Sequence, residues 1–220
     1  MRLIFYSGGG HELNQELDAW LLRMLGSNNP KCTVIPSCYD HRDEDIDDFI
    51  EHFGPLGFTV DQVIDADRFP SASDIDRAMA ADFVYLSGGN TFYFLEHLRR
   101  SGLLKALRRF AQHDGLIAGK SAGAIIMTPN IQTAAVPDFD CDENSIGITN
   151  LDAMNLVSFE FFPHYPKRRA HDEEFFRYTR ISNKPLYACP DGSGVVVYED
   201  QVALVGEVEV FFDGRKFRPK

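Results

Sequence analysis

The chain has 220 residues and a formal net charge of -11, with 44% hydrophobic and 25% charged residues. That size can bury one substantial core, and the composition is that of a soluble globular protein with too little apolar sequence for a membrane span. The acidic balance argues against nucleic acid as a partner, because binding to phosphate backbones draws its affinity from clustered Lys and Arg.

The first apolar run, Leu3–Tyr6, stops at Ser7-Gly8-Gly9-Gly10, too short for a secretory leader, and reads as a first strand. Helical spacing follows at Leu13, Leu17, Trp20, Leu21 and Leu25. Further β-branched or apolar runs at Cys32–Pro36, Phe58–Ile64, Phe83–Leu86 and Leu116–Ala118 alternate with helical patterns at 46–53, 94–98 and 104–110. Such alternation predicts an α/β fold, a mostly parallel sheet with helices on both faces and its chemistry at the carboxyl ends of strands.

From Pro129 to Asn155 the periodicity is lost and acids gather at Asp138, Asp140, Asp142, Glu143 and Asp152, which predicts a long irregular excursion over the surface. After it, Val195–Tyr198, Gln201–Val205 and Val208–Phe212, separated by Glu199-Asp200 and Gly206, predict an antiparallel meander closing the sheet. No repeat, linker or low-complexity tract divides the chain, so a single domain over 1–220 is expected. Cys32, Cys38, Cys141 and Cys189 form no CxxC pair, which predicts reduced thiols, a cytoplasmic location and no metal site. No cofactor is implied, and the sequence leaves a homodimer open.

Ser121 stands between the strand Leu116–Ala118 and the apolar run 122–127, with Gly119 and Gly123 on either side. This is the setting of a nucleophile elbow, whose glycines allow a tight turn and whose helix N-terminus favours developing negative charge. A phosphate-binding loop fits less well, since its first glycine would fall on Asp114. A serine that merely caps the helix is the plain alternative.

A serine nucleophile needs a base and an orienting acid. His164 ends the run 156–163 and so sits at a strand end, whereas His11, His41, His52, His97 and His113 read as solvated surface residues and His171 as part of an exposed helix start. Asp191, after the apolar run 186–190, is the expected acid, with Asp138, Asp140 and Asp142 as loop alternatives that more naturally shape the substrate mouth. Gly88-Gly89-Asn90 follows another strand, so the N–H groups of Gly89 and Ala122 are the expected oxyanion donors, and Asn90 and Asp138 the expected substrate-binding residues. The plain role of Asn90 is a helix cap.

Taken together, Gly119-Lys120-Ser121-Ala122-Gly123-Ala124, Gly88-Gly89-Asn90-Thr91-Phe92 and Pro163-His164 resemble the peptidase E and cyanophycinase family of serine peptidases, in order and spacing over nearly the whole chain. The resemblance implies a sheet related to class I glutamine amidotransferases, with serine in place of cysteine and a triad of Ser121, His164 and Asp191. It also implies a short peptide substrate, with an N-terminal aspartate among the candidates and Lys120, Lys167, Arg168 or Arg169 available to hold a carboxylate. Peptidase E has a glutamate where this chain has Asp191, and the aspartate of aspartyl-specific members falls near Val136, two residues before Asp138. The alternatives are a non-catalytic amidotransferase-like module that binds a small molecule or partner, and a hydrolase of non-peptide amides or esters.

Overall fold

The computed structural model describes residues 1–26, 30–199 and 201–218. Chain order runs β1 (Arg2–Tyr6), α1 (His11–Leu25), β2 (Lys31–Ile35), α2 (Arg42–Phe53), β3 (Thr59–Val63), α3 (Ala72–Ala78), β4 (Phe83–Leu86) and α4 (Thr91–Ser101). It continues with α5 (Leu103–Gln112), β5 (Leu116–Lys120), α6 (Ala122–Ile126), β6 (Glu160–Phe162), α7 (Arg169–Ser182) and β7 (Leu186–Ala188). The last strands are β8 (Gly194–Tyr198), β9 (Gln201–Val205), β10 (Glu209–Phe212) and β11 (Arg215–Phe217).

The main sheet has seven strands in the order β3-β2-β4-β5-β1-β8-β9. β3, β2, β4, β5 and β1 are parallel, and β8 and β9 add an antiparallel edge. Side chains alternate between two buried layers. Leu3, Phe5, Val84, Leu86 and Ile117 face α4, α5 and α6, while Ile4, Tyr6, Tyr85 and Ala118 face Leu17 and Leu21 of α1 and Phe49 and Phe53 of α2. The expected two-layered α/β sheet is therefore present. The strand expected over 58–64 is half exposed along its length because β3 lies at the sheet edge.

Two expectations change. The C-terminal strands do not all close the main sheet: β8 and β9 form a hairpin at its edge, whereas β10 and β11 join β7 and β6 in a second sheet of order β11-β10-β7-β6. The turn residue Asp200 lies outside the described residues. The excursion from Pro129 to Asn155 is irregular, as expected, but it does not simply run over the surface. Ile131, Thr133, Ala134, Ala153 and Met154 are buried, and Asn130 bridges Asp152. The apolar side chains among these, Ile131, Ala134, Ala153 and Met154, supply the anchoring that polar loop residues would not.

The second sheet has its own apolar layer, Phe162, Tyr165, Phe175, Tyr178, Leu186 and Phe211, against α7. The alternation of β6 turns Phe161 the other way, into the main core, where its ring centroid is 5.5 Å from that of Phe5. Phe161 thus joins the sheets. Phe161→Ala should cost about 3–5 kcal/mol of stability in urea denaturation, against a change within about 0.5 kcal/mol for Ile181→Ala, whose side chain is exposed.

Candidate active site

Ser121 follows β5 and opens α6 with φ 53° and ψ -112°, a conformation that a non-glycine residue holds only when its surroundings impose it. The imposition is visible in the backbone. Ser121 N–H donates to Tyr6 O at 3.0 Å and Gly123 N–H to Ser87 O at 3.1 Å, so the turn is pinned to β1 and to the end of β4. A Cβ on Gly119 would meet Gly123 C at 2.5 Å, and one on Gly123 would meet Leu86 O at 2.4 Å. Only glycine fits at either position, which is why the elbow has this spelling.

The Ser121 side chain makes no capping hydrogen bond to α6. Its Oγ instead lies 2.9 Å from His164 Nε2, and His164 Nδ1 lies 2.7 Å from Asp191 Oδ1. The three side chains expected to act together are thus contiguous. Ser121 comes from the main sheet, whereas His164 and Asp191 follow β6 and β7 of the second sheet. The loop acids lie elsewhere: Asp140 Oδ2 is 2.8 Å from His171 Nε2, and Asp142 Oδ2 accepts from Thr91 N–H at 2.7 Å.

Both expected oxyanion donors face no competing acceptor among the described residues, since neither Gly89 N–H nor Ala122 N–H is paired with a protein oxygen. Gly88 is beside Ser121, as a Cβ built on it would lie 3.6 Å from Ser121 Cβ. Asn90 acts as the helix cap, accepting from Tyr93 N–H at 2.9 Å, and its Nδ2 donates to Glu143 O at 2.8 Å, so its amide ties α4 to the acidic loop. Asp138 is exposed, and its carbonyl accepts from Cys141 Sγ–H at 3.5 Å.

Two histidines differ from expectation. His171 is buried among Phe139, Phe162 and Phe175 of the second sheet's apolar layer and the loop, because the start of α7 packs inward. His52 is also buried, with Nε2 3.0 Å from Asp18 Oδ1, because α2 turns that face to Tyr6.

The residues that sequence reasoning missed are Ser7 and Gly8, which it took only as the end of the first strand. Ser7 is fully buried. Its hydroxyl donates to Cys189 O at 2.6 Å and accepts from His164 N–H at 2.7 Å. A Cβ on Gly8 would fall 2.3 Å from Asp191 Oδ1 and 2.6 Å from His164 Nδ1. The one signal available in sequence was a serine and glycines at the carboxyl end of a central strand.

A cavity of about 160 Å³ adjoins Ser121, bounded by Thr91, Ile125, Thr133, Asp140, Asp142 and Phe162. A larger hollow of about 770 Å³ around Arg2, Arg109 and His113 lies at the opposite ends of β1 and β5, and its lining holds no serine or cysteine. Among the described residues no His, Cys, Asp and Glu side chains group as a metal site, and no helix is long and apolar enough to cross a membrane.

Ser7→Ala leaves the buried His164 N–H without its acceptor, while Cys189 O keeps the bond from Tyr165 N–H, and should cost about 1–3 kcal/mol in urea denaturation. Gly8→Ala should displace the imidazole from Asp191, seen by NMR as loss of a low-field His164 ring-proton resonance.

An uncharacterized peptidase of Listeria monocytogenes is 43% identical over 84 residues, which is 38% of this chain and 40% of that protein's length. The Peptidase E of Streptomyces coelicolor is 28% identical over 171 residues, 74% of this chain and 66% of that one. A Listeria monocytogenes EGD-e crystal structure described as a candidate Peptidase E has the same fold, with a TM-score of 0.72 and 24% identity over 92% of this chain and 96% of that one. The sequence profile of Peptidase family S51 matches residues 3–205, and the chain belongs to that family.

Proposed function

We propose that the protein is a serine exopeptidase of the dipeptidase kind, hydrolysing short peptides through an acyl-enzyme. The observation that carries this reading is the hydrogen-bond chain from Ser121 Oγ to His164 Nε2 at 2.9 Å and from His164 Nδ1 to Asp191 Oδ1 at 2.7 Å, at a strained strand-to-helix turn. Membership of a peptidase family and likeness to proteins named Peptidase E support it.

In the first step Ser121 Oγ attacks the scissile carbonyl carbon while His164 Nε2 takes its proton. Asp191 holds the imidazole with Nε2 free to accept and stabilises the imidazolium that forms. The negative charge that moves to the carbonyl oxygen is met by the N–H groups of Gly89 and Ala122, which have no acceptor to give up among the described residues. When the tetrahedral species collapses, His164 returns the proton to the leaving amine. Water, deprotonated by the same imidazole, then attacks the ester and releases Ser121.

A module that only binds a ligand leaves the φ of Ser121 and its missing capping bond without a purpose, since a capping serine would adopt neither. Four free cysteines fit a reducing compartment, and on that ground we assign the protein to the cytoplasm.

A fluorophosphonate probe should label the wild-type protein on Ser121, located by peptide mass spectrometry. Ser121→Ala should abolish labelling, and His164→Ala should slow it by about 100-fold or more. A folded wild-type protein that takes no label would move the assignment to a binding module.

A further inference from the structure

The cavity beside Ser121 contains two carboxylates, Asp140 and Asp142, and the imidazole of His164 as the only basic side chain on its wall among the described residues. Acidic side chains alone would say little about a ligand. A separate feature does: Thr133 also lines this cavity, is 2% exposed, and its Oγ1 is buried without a hydrogen-bond partner. A buried hydroxyl left unpaired costs free energy unless something entering the cavity pairs with it. Ile125 and Phe162 supply apolar wall between these polar groups.

Of the basic residues named as able to receive a substrate carboxylate, none lines this cavity, and three pair with acids elsewhere. Lys120 Nζ lies 2.7 Å from Asp48 Oδ2, Arg169 Nε lies 2.9 Å from Glu173 Oε1, and Lys167 pairs with Glu207. Asp140 and Asp142 each give one oxygen to the protein, to His171 and to Thr91 N–H. A carboxylate can accept at both oxygens, so each retains capacity for a donor in the cavity.

Building on the serine-peptidase reading above, we propose that this cavity receives the side chain on the acyl side of the scissile bond and selects one that ends in a cationic hydrogen-bond donor, such as lysine, over aspartate. The apolar stem of such a side chain packs on Ile125 and Phe162 while its ammonium reaches Asp140 and Asp142, and a rotation of the Thr133 side chain toward the cavity brings its unpaired Oγ1 to the same donor. An aspartate in the same place would bring a third carboxylate beside two others with no cation between them, which like-charge repulsion disfavours in a partly desolvated cavity.

The test measures kcat/KM for Lys-Leu, Leu-Leu and Asp-Leu dipeptides alongside fluorophosphonate labelling of Ser121. The wild-type protein should favour Lys-Leu over Asp-Leu by about 100-fold, which two charge contacts of ordinary strength can supply. Asp140→Asn and Asp142→Asn should each cut that ratio about tenfold, and Thr133→Val should lower kcat/KM for Lys-Leu severalfold. The wild-type ratio stands by itself if a variant fails to fold. Labelled Ser121 with Asp-Leu cleaved as well as Lys-Leu, or with all three dipeptides intact, overturns the specificity and leaves the nucleophile assignment in place. An unlabelled Ser121 overturns both.

Discussion

The site is assembled across a joint between two sheets, and the hydroxyl of Ser7 holds that joint. Ser7 sits at the end of β1, the strand whose Tyr6 carbonyl also pins Ser121 N–H. From there its Oγ reaches both His164 N–H and Cys189 O, the backbone just beyond β6 and β7. Ser121 and His164 are 43 residues apart on different sheets, and their hydrogen bond needs placement to within a fraction of an ångström. One buried side chain bonded to both sides supplies such placement where apolar packing, which is non-directional, does not. Asn14 adds to it from below, donating to Gly8 O and Gly10 O, so α1 fixes the glycine turn on which the His164–Asp191 pair rests.

The strain at Ser121 is the second constraint, and it is sustained by parts that look unrelated in sequence. A positive φ at a serine requires compensation, which comes from backbone bonds to β1 and to Ser87 and from the absence of side chains at positions 119 and 123. Behind the neighbouring turn, Ser87 Oγ donates to Asp45 Oδ2 at 2.8 Å and accepts from Ser37 N–H at 2.8 Å. Burial pushes the Asp45 carboxyl above its ordinary range, and the bonds from Ser87 and Ser37 pull against that rise. The strand ends that carry Gly88-Gly89 and Ser121 are thus cross-linked through polar atoms as well as through the sheet ladder.

What was legible in the sequence followed from periodicity and from steric necessity. Alternating strand and helix patterns through residue 127 gave the parallel sheet, because crossover helices bury one stripe each and strands buried on both faces read as continuous apolar runs. The elbow was legible because glycine is the sole residue its turn admits. Strand ends before His164 and Asp191 were readable, but their membership of a second sheet was not, since three-residue strands such as β6 and β7 carry no period. Ser7 and Gly8 went unread as site residues for a related reason: their partners are more than 150 residues away in sequence, and no local pattern encodes a contact of that range. His171 and His52 were misjudged as surface residues because a polar side chain beside acids looks solvated until the aromatic neighbours brought by other elements are known.

The acidic loop spans the same joint as Ser121, His164 and Asp191, so on the proposed reading the cavity wall and the reacting groups share their supports. On one side, Asp142 accepts from Thr91 N–H and Asn90 donates to Glu143 O, which attaches the loop to the N-terminus of α4, where the helix dipole favours a carboxylate. On the other side, Asp140 reaches His171 in α7, against the second sheet. A relative shift of the two sheets would stretch both attachments together with the Ser121–His164 bond. The wall of the cavity and the Ser121–His164 pair therefore rest on the same joint between the sheets. Under the proposed mechanism, binding free energy gained along the loop would serve to tighten the Ser121–His164 hydrogen bond.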